Sequence, residues 1–151
     1  FVICSGAKSI LDLSKTNELL ETLGITRIGY QTNYMPGFWY EETENKVDKK
    51  FDEIHEISSF LKLNENLKNK KSILIFNNVP LEKALNKNDV EKWINNAVIK
   101  ADKNNISGKE LTPFLIKEIN EQSKNETLNA NVSLIINNAN LAGKIAKNFY
   151  S

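Results

Sequence analysis

Apolar residues in this chain recur with two different periods, and the switches between them mark out its elements. Residues 1–4 are continuously apolar and read as a buried strand. From Asp12 the period becomes helical, with Leu13, Leu19, Leu20 and Leu23 on adjoining faces. Asp12 or Ser14 is available as N-cap, and Gly24 is placed to end the helix. Residues 25–30 supply β-branched and aromatic side chains between Gly24 and a polar Gln31-Thr32-Asn33, which predicts a second strand. Pro36 and Gly37 then punctuate an aromatic stretch over 34–40, read as a partly exposed loop.

Asp48 can cap a helix whose apolar positions Phe51, Ile54, Ile57, Phe60 and Leu61 recur at three- and four-residue spacing. The run over 72–76 suits a strand covered on both faces, and Pro80 marks a turn after it. Asp89 opens the next helix, through Val90, Trp93, Ile94, Ala97, Val98 and Ala101, ending near Asn104 and Asn105. Gly108 breaks the chain, and Thr112-Pro113 starts a helix in which proline sits in the first turn, where its missing N–H is harmless. Thr127 is assigned as the cap of the last helix. Leu128, Val132, Ile135, Ile136, Ala139, Ala142 and Ile145 are assigned as its buried stripe.

Strands alternating with long helices predict an α/β fold, a layered α/β/α arrangement on a mostly parallel central sheet. About three strands are few for such a sheet, so only part of it is expected in this chain. Residues 1–151 are therefore read as the carboxy-terminal part of one domain, with the missing strands upstream.

Composition narrows the function classes. At 40% hydrophobic and 26% charged the chain is globular in character, and 20 Lys and Arg against 19 Asp and Glu leave a net charge of +1. Nothing in that balance points to nucleic acid or to an anionic membrane. Cys4 is the single cysteine, so an internal disulfide is excluded. No apolar run approaches the roughly 18 residues of a membrane span, and no charged leader precedes an apolar core. A soluble, cytoplasmic protein is expected. Lysine and asparagine are abundant, as in Lys68-Asn69-Lys70-Lys71 and Asn86-Lys87-Asn88, and read as solvated surface.

Gly6-Ala7-Lys8 follows the first strand directly, at the carboxyl end where open α/β sheets place their ligands. Small residues there let a substrate approach the backbone closely. A lysine at that point acts as a nucleophile if partial burial favours its free amine; spacing alone leaves a surface lysine in a turn as the more economical reading. His55, the only histidine, falls inside a predicted helix, which argues against a histidine-rich metal site or a Ser-His-Asp triad from this chain alone. Glu41, Glu42 and Glu44 have no metal or acid–base spacing and read as solvated. Asn131 and Asn138 lie seven positions apart, hence on one face of the last helix. The Asn131 amide can donate to and accept from a pyrimidine edge, although asparagine in a helix is more often a surface or packing residue.

Five stretches taken in order resemble the pseudouridine-5′-phosphate glycosidase, or indigoidine synthase A-like, family. They are Ser5-Gly6-Ala7-Lys8-Ser9-Ile10-Leu11-Asp12; Leu20-Glu21-Thr22-Leu23-Gly24; residues 28–32 with the 36–40 loop; residues 108–115; and residues 130–139. The resemblance implies reversible cleavage of the C–C glycosidic bond of pseudouridine 5′-phosphate, giving uracil and ribose 5-phosphate. It implies that Lys8 forms a Schiff-base adduct with the opened sugar and that Asn131 contacts the uracil. The same resemblance places the catalytic glutamate, the phosphate-binding residues and the ligand for manganese in the amino-terminal half, with no metal ligand in this chain, and implies a homotrimer. Asn78 stands where the family commonly has proline, so a local change is expected in the turn before Pro80. The alternatives are a non-catalytic interaction or oligomerisation module that keeps the fold, and an enzyme of the same type acting on a related sugar phosphate or in pigment biosynthesis.

Overall fold

The structure is a computed structural model that describes residues 1–68 and 71–151; Asn69 and Lys70, within the lysine- and asparagine-rich run, lie outside the described residues. Four strands form one parallel sheet in the order β1-β4-β2-β3: β1 Val2–Cys4, β2 Thr26–Tyr30, β3 Lys49–Phe51 and β4 Ile73–Phe76. The helices are α1 Leu13–Thr22, α2 Ile54–Asn66, α3 Lys87–Lys103, α4 Leu111–Gln122 and α5 Glu126–Tyr150. The α/β architecture on a parallel sheet therefore holds. Central β4 is paired on both sides, matching its apolar run, whereas β1 is an edge strand.

One face of the sheet carries Ile28, Ile73 and Ile75, closed off by Ile57 and Leu61 of α2 and Leu141 and Ile145 of α5. Side chains alternate along β2, so Arg27 points to the opposite face. There its buried guanidinium bonds Asn17 and Glu21 of α1 and Asp48 ahead of β3. A second core joins α3, α4 and α5 through Val90, Ala97, Leu115, Ile119 and Leu134, with Trp39 and Tyr40 at its heart.

Most helix termini follow their capping chemistry. Asp12 accepts from the Lys15 N–H at 3.0 Å, and Gly24, at φ +63°, follows the last turn of α1. Three boundaries differ from the sequence reading. Asp48 does not cap α2; it precedes β3, and α2 starts at Ile54, where the Glu56 carboxylate reaches back to the Glu53 N–H at 3.0 Å. Phe51 fits the helical spacing because the end of β3 lies beside α2, with its ring 5.8 Å from that of Phe60. Asn86, not Asp89, caps α3 by accepting from the Asn88 and Asp89 N–H groups. Thr127 lies inside the first turn of α5, buried, with its hydroxyl 2.9 Å from that of Ser123.

Three burial expectations fail. Residues 1–4 are not a buried strand: β1 lies at the edge of the sheet, and Phe1 and Val2 are exposed. The 34–40 loop is not exposed: Met35, Pro36, Trp39 and Tyr40 are buried, because the loop runs under the helical core. On α5 the buried positions are Thr127, Ala130, Leu134, Leu141 and Ile145, while Leu128, Val132, Ile135 and Ile136 form an exposed apolar face. This helix is apolar on two sides, and this chain covers only one.

Candidate active site

The carboxyl end of β1 is built from three segments tied together. Ser5, buried, ends the strand; its carbonyl accepts the Phe38 N–H at 3.1 Å, and the Ser9 hydroxyl donates to the Gly37 carbonyl. The aromatic loop thus lies directly under the Gly6-Ala7-Lys8 turn. Gly6 is required there: it has φ +86°, and a Cβ would stand 2.1 Å from the Pro36 carbonyl oxygen. From the other side, the Asn138 amide of α5 clasps the strand. Its Nδ2 donates to Ser5 Oγ at 3.1 Å, and its Oδ1 accepts from Asn77 Nδ2 at 3.0 Å. The Asn77 N–H in turn donates to the Cys4 carbonyl at 2.9 Å.

Asn131, two turns earlier on α5, accepts the Trp39 indole N–H at 2.9 Å. Seven residues at the helical rise separate it from Asn138 by about 10 Å along the axis. The two amides share one helix face, as their spacing predicted, with Asn131 against the aromatic loop and Asn138 against the end of β1. A cavity of about 470 Å³ opens beside Asn131, lined also by Trp39, Pro113, Ile116 and Leu128.

Lys8 sits at the end of β1 as expected, but its side chain is exposed. The aromatic loop lies beneath the turn, and the described residues leave the lysine side chain open to solvent. Burial raises the Cys4 thiol above its ordinary pKa, which keeps it protonated and unsuited to nucleophilic work. His55 is exposed on α2. Glu42 is exposed, as read, with its carboxylate 2.9 Å from the Thr32 hydroxyl. Among the described residues no three His, Cys, Asp or Glu side chains converge as a metal donor set. Among the described residues no helix is long and apolar enough to cross a membrane.

Ser5, Trp39 and Asn77 were missed as site-building residues by sequence reasoning. Ser5 and Trp39 lie inside the family-like stretches; Asn77 carries no signal beyond the turn before Pro80. Asn78 itself accepts an Asn137 amide through its carbonyl at 3.1 Å, while its side-chain oxygen is buried without a partner among the described residues.

The family of indigoidine synthase A like proteins matches residues 1–148. The chain belongs to this family. A pseudouridine-5′-phosphate glycosidase of Kosmotoga olearia is 45% identical over 145 residues, covering 96% of this chain and 50% of that protein. The crystal structure of the prealnumycin C-glycosynthase in complex with ribulose 5-phosphate matches with a TM-score of 0.89 at 28% identity, over 96% of this chain and 48% of that one. An indigoidine synthase A-like protein from Thermotoga maritima matches with a TM-score of 0.83 at 33% identity, over 95% and 47%. The chain spans about half the length of the curated relatives it matches. The indigoidine synthase A-like fold thus accounts for the parallel sheet and the helices packed on it.

Proposed function

We propose that this chain is the carboxy-terminal part of a glycosidase that reversibly cleaves pseudouridine 5′-phosphate to uracil and ribose 5-phosphate, working with an amino-terminal half. The observation that carries this reading is the 45% identity over 145 residues to a relative of that name. In the synthetic direction the Lys8 amine condenses with the aldehyde of opened ribose 5-phosphate and water leaves. The resulting imine carbon is an electron sink that accepts the electron pair of the uracil ring carbon, whose proton passes to a base. The bond from the sugar carbon to the Lys8 nitrogen then breaks as the sugar hydroxyl closes the ring, which frees the amine and the product; cleavage runs these steps backward, with a proton delivered to the uracil ring as the C–C bond breaks. Asn131 meets the pyrimidine edge in this reading.

Two observations support a covering half. Lys8 is exposed here, and α5 presents Leu128, Val132, Ile135 and Ile136 to solvent. The covering segment would desolvate both, and the catalytic glutamate, phosphate contacts and manganese ligand are assigned to it. A homotrimer is part of the proposal and is read by light scattering.

Borohydride trapping with ribose 5-phosphate, followed by peptide mapping, tests the assignment: an adduct on the Lys8 peptide is expected in the protein with both halves, and Lys8→Ala should abolish it together with uracil release. Uracil release that survives Lys8→Ala sinks the assignment. The exposure of Lys8 also favours a second reading, a non-catalytic module, for which titration with ribose 5-phosphate should show no heat. Competition between ribose 5-phosphate and ribulose 5-phosphate separates a related sugar-phosphate enzyme.

A further inference from the structure

An asparagine amide can be presented either way round, because its oxygen and its NH2 group occupy nearly the same volume. For Asn131 the choice is made by its neighbour. An indole N–H only donates, and that of Trp39 lies 2.9 Å from Asn131 Oδ1. Turning the amide over would set two donors against each other. Trp39 cannot readily retreat: it is 3% exposed, its ring lies edge-on to Phe38 at 5.7 Å, and its carbonyl holds the Leu85 N–H at 2.8 Å. Asn131 Oδ1 is therefore engaged with the protein. Its Nδ2 has no hydrogen-bond partner among the described residues and is not sealed in the core. Both residues line the cavity whose other walls include the apolar Pro113, Ile116 and Leu128, surfaces against which a flat ring can lie.

We propose that Trp39 is a positioning residue that sets the base specificity of Asn131. By occupying Oδ1 it turns Asn131 into a donor toward the ligand, selecting a ring with a carbonyl at that edge, as in uracil, over one with an amino group, as in cytosine. This deepens the pyrimidine reading above and rests on it. An amino group facing Nδ2 would bring two donors together and leave both unpaired, a mismatch that lowers affinity by about tenfold or more.

The test is titration of uracil and of cytosine into the protein with both halves, as wild type, Trp39→Phe and Asn131→Asp. Wild type is expected to favour uracil by about tenfold or more. Trp39→Phe keeps an aromatic ring but frees the amide to turn, so the ratio should fall to within about threefold of unity. Asn131→Asp still accepts from Trp39 yet offers an acceptor outward, so the preference should reverse. It leaves the core packing alone and decides the matter if Trp39→Phe does not fold. A folded Trp39→Phe protein that keeps the wild-type ratio overturns the proposal, as does an Asn131→Asp protein that still prefers uracil. Trapping at Lys8 in the same samples separates the two readings. An adduct with unchanged base ratios leaves the glycosidase standing and removes the Trp39 assignment; altered ratios without an adduct do the reverse.

Discussion

Replacing Gly6 with alanine should damage the site and the fold together. Two terms add at this position. The backbone has φ +86°, a region where an L side chain costs about 1 kcal/mol or more. The new methyl would also stand 2.1 Å from the Pro36 carbonyl oxygen, which belongs to backbone and cannot rotate aside. Relief requires the Lys8 turn and the aromatic loop to separate, and such overpacking costs about 1–3 kcal/mol. A total loss of about 2–4 kcal/mol follows, or about 10 °C in Tm for a chain of this size. Gly143 is the control: it is an exposed position of α5 with nothing within 4 Å of an added Cβ, so Gly143→Ala should stabilise by about 0.5–1 kcal/mol. Urea denaturation of both variants measures the difference, and borohydride trapping follows Lys8 in the first. If Gly6→Ala is as stable as wild type, the close approach of turn and loop is wrong.

Asp48 gives a pH-dependent prediction. Burial pushes its carboxyl up, but hydrogen bonds from the Arg27 side chain and N–H more than offset this and hold it below the ordinary carboxylate range. A depressed folded pKa contributes stability that is present above the unfolded value of about 3.9 and lost as pH falls through the folded one. Asp48→Asn should therefore cost on the order of 1 kcal/mol at pH 7, allowing for solvent screening of the half-exposed carboxylate, with the gap to wild type closing in acid. A gap that stays constant from pH 7 into acid denaturation refutes it. On α5, Ile145→Ala, at a 4% exposed position, should lose about 2–4 kcal/mol of stability in thermal or urea melts. Ile135→Lys, at 64% exposed, should change the stability of this chain by less than about 0.5 kcal/mol yet weaken its association with an amino-terminal half in co-purification.

Local chemistry was enough to mark β1, β2, β4 and the existence of α1 to α5, because capping residues, glycine stops and helical spacing act within a few positions of themselves. The same locality placed Lys8 at a strand end and put Asn131 and Asn138 on one helix face. What the spacing could not say is which apolar face of α5 finds a partner: Leu128, Val132, Ile135 and Ile136 have the same period as Leu134, Leu141 and Ile145, and only the positions of α2, α3 and α4 separate the two sets. Phe51 was assigned to a helix for a related reason, since its side chain joins the same core from the end of a three-residue strand. Partnerships between distant segments were equally invisible. Trp39 and Asn131 are 92 positions apart, and Ser5 and Asn138 are 133 apart. Each pair meets because the parallel sheet sets β1 against α5, and a hydrogen bond needs only the final distance between donor and acceptor, which sequence separation does not record.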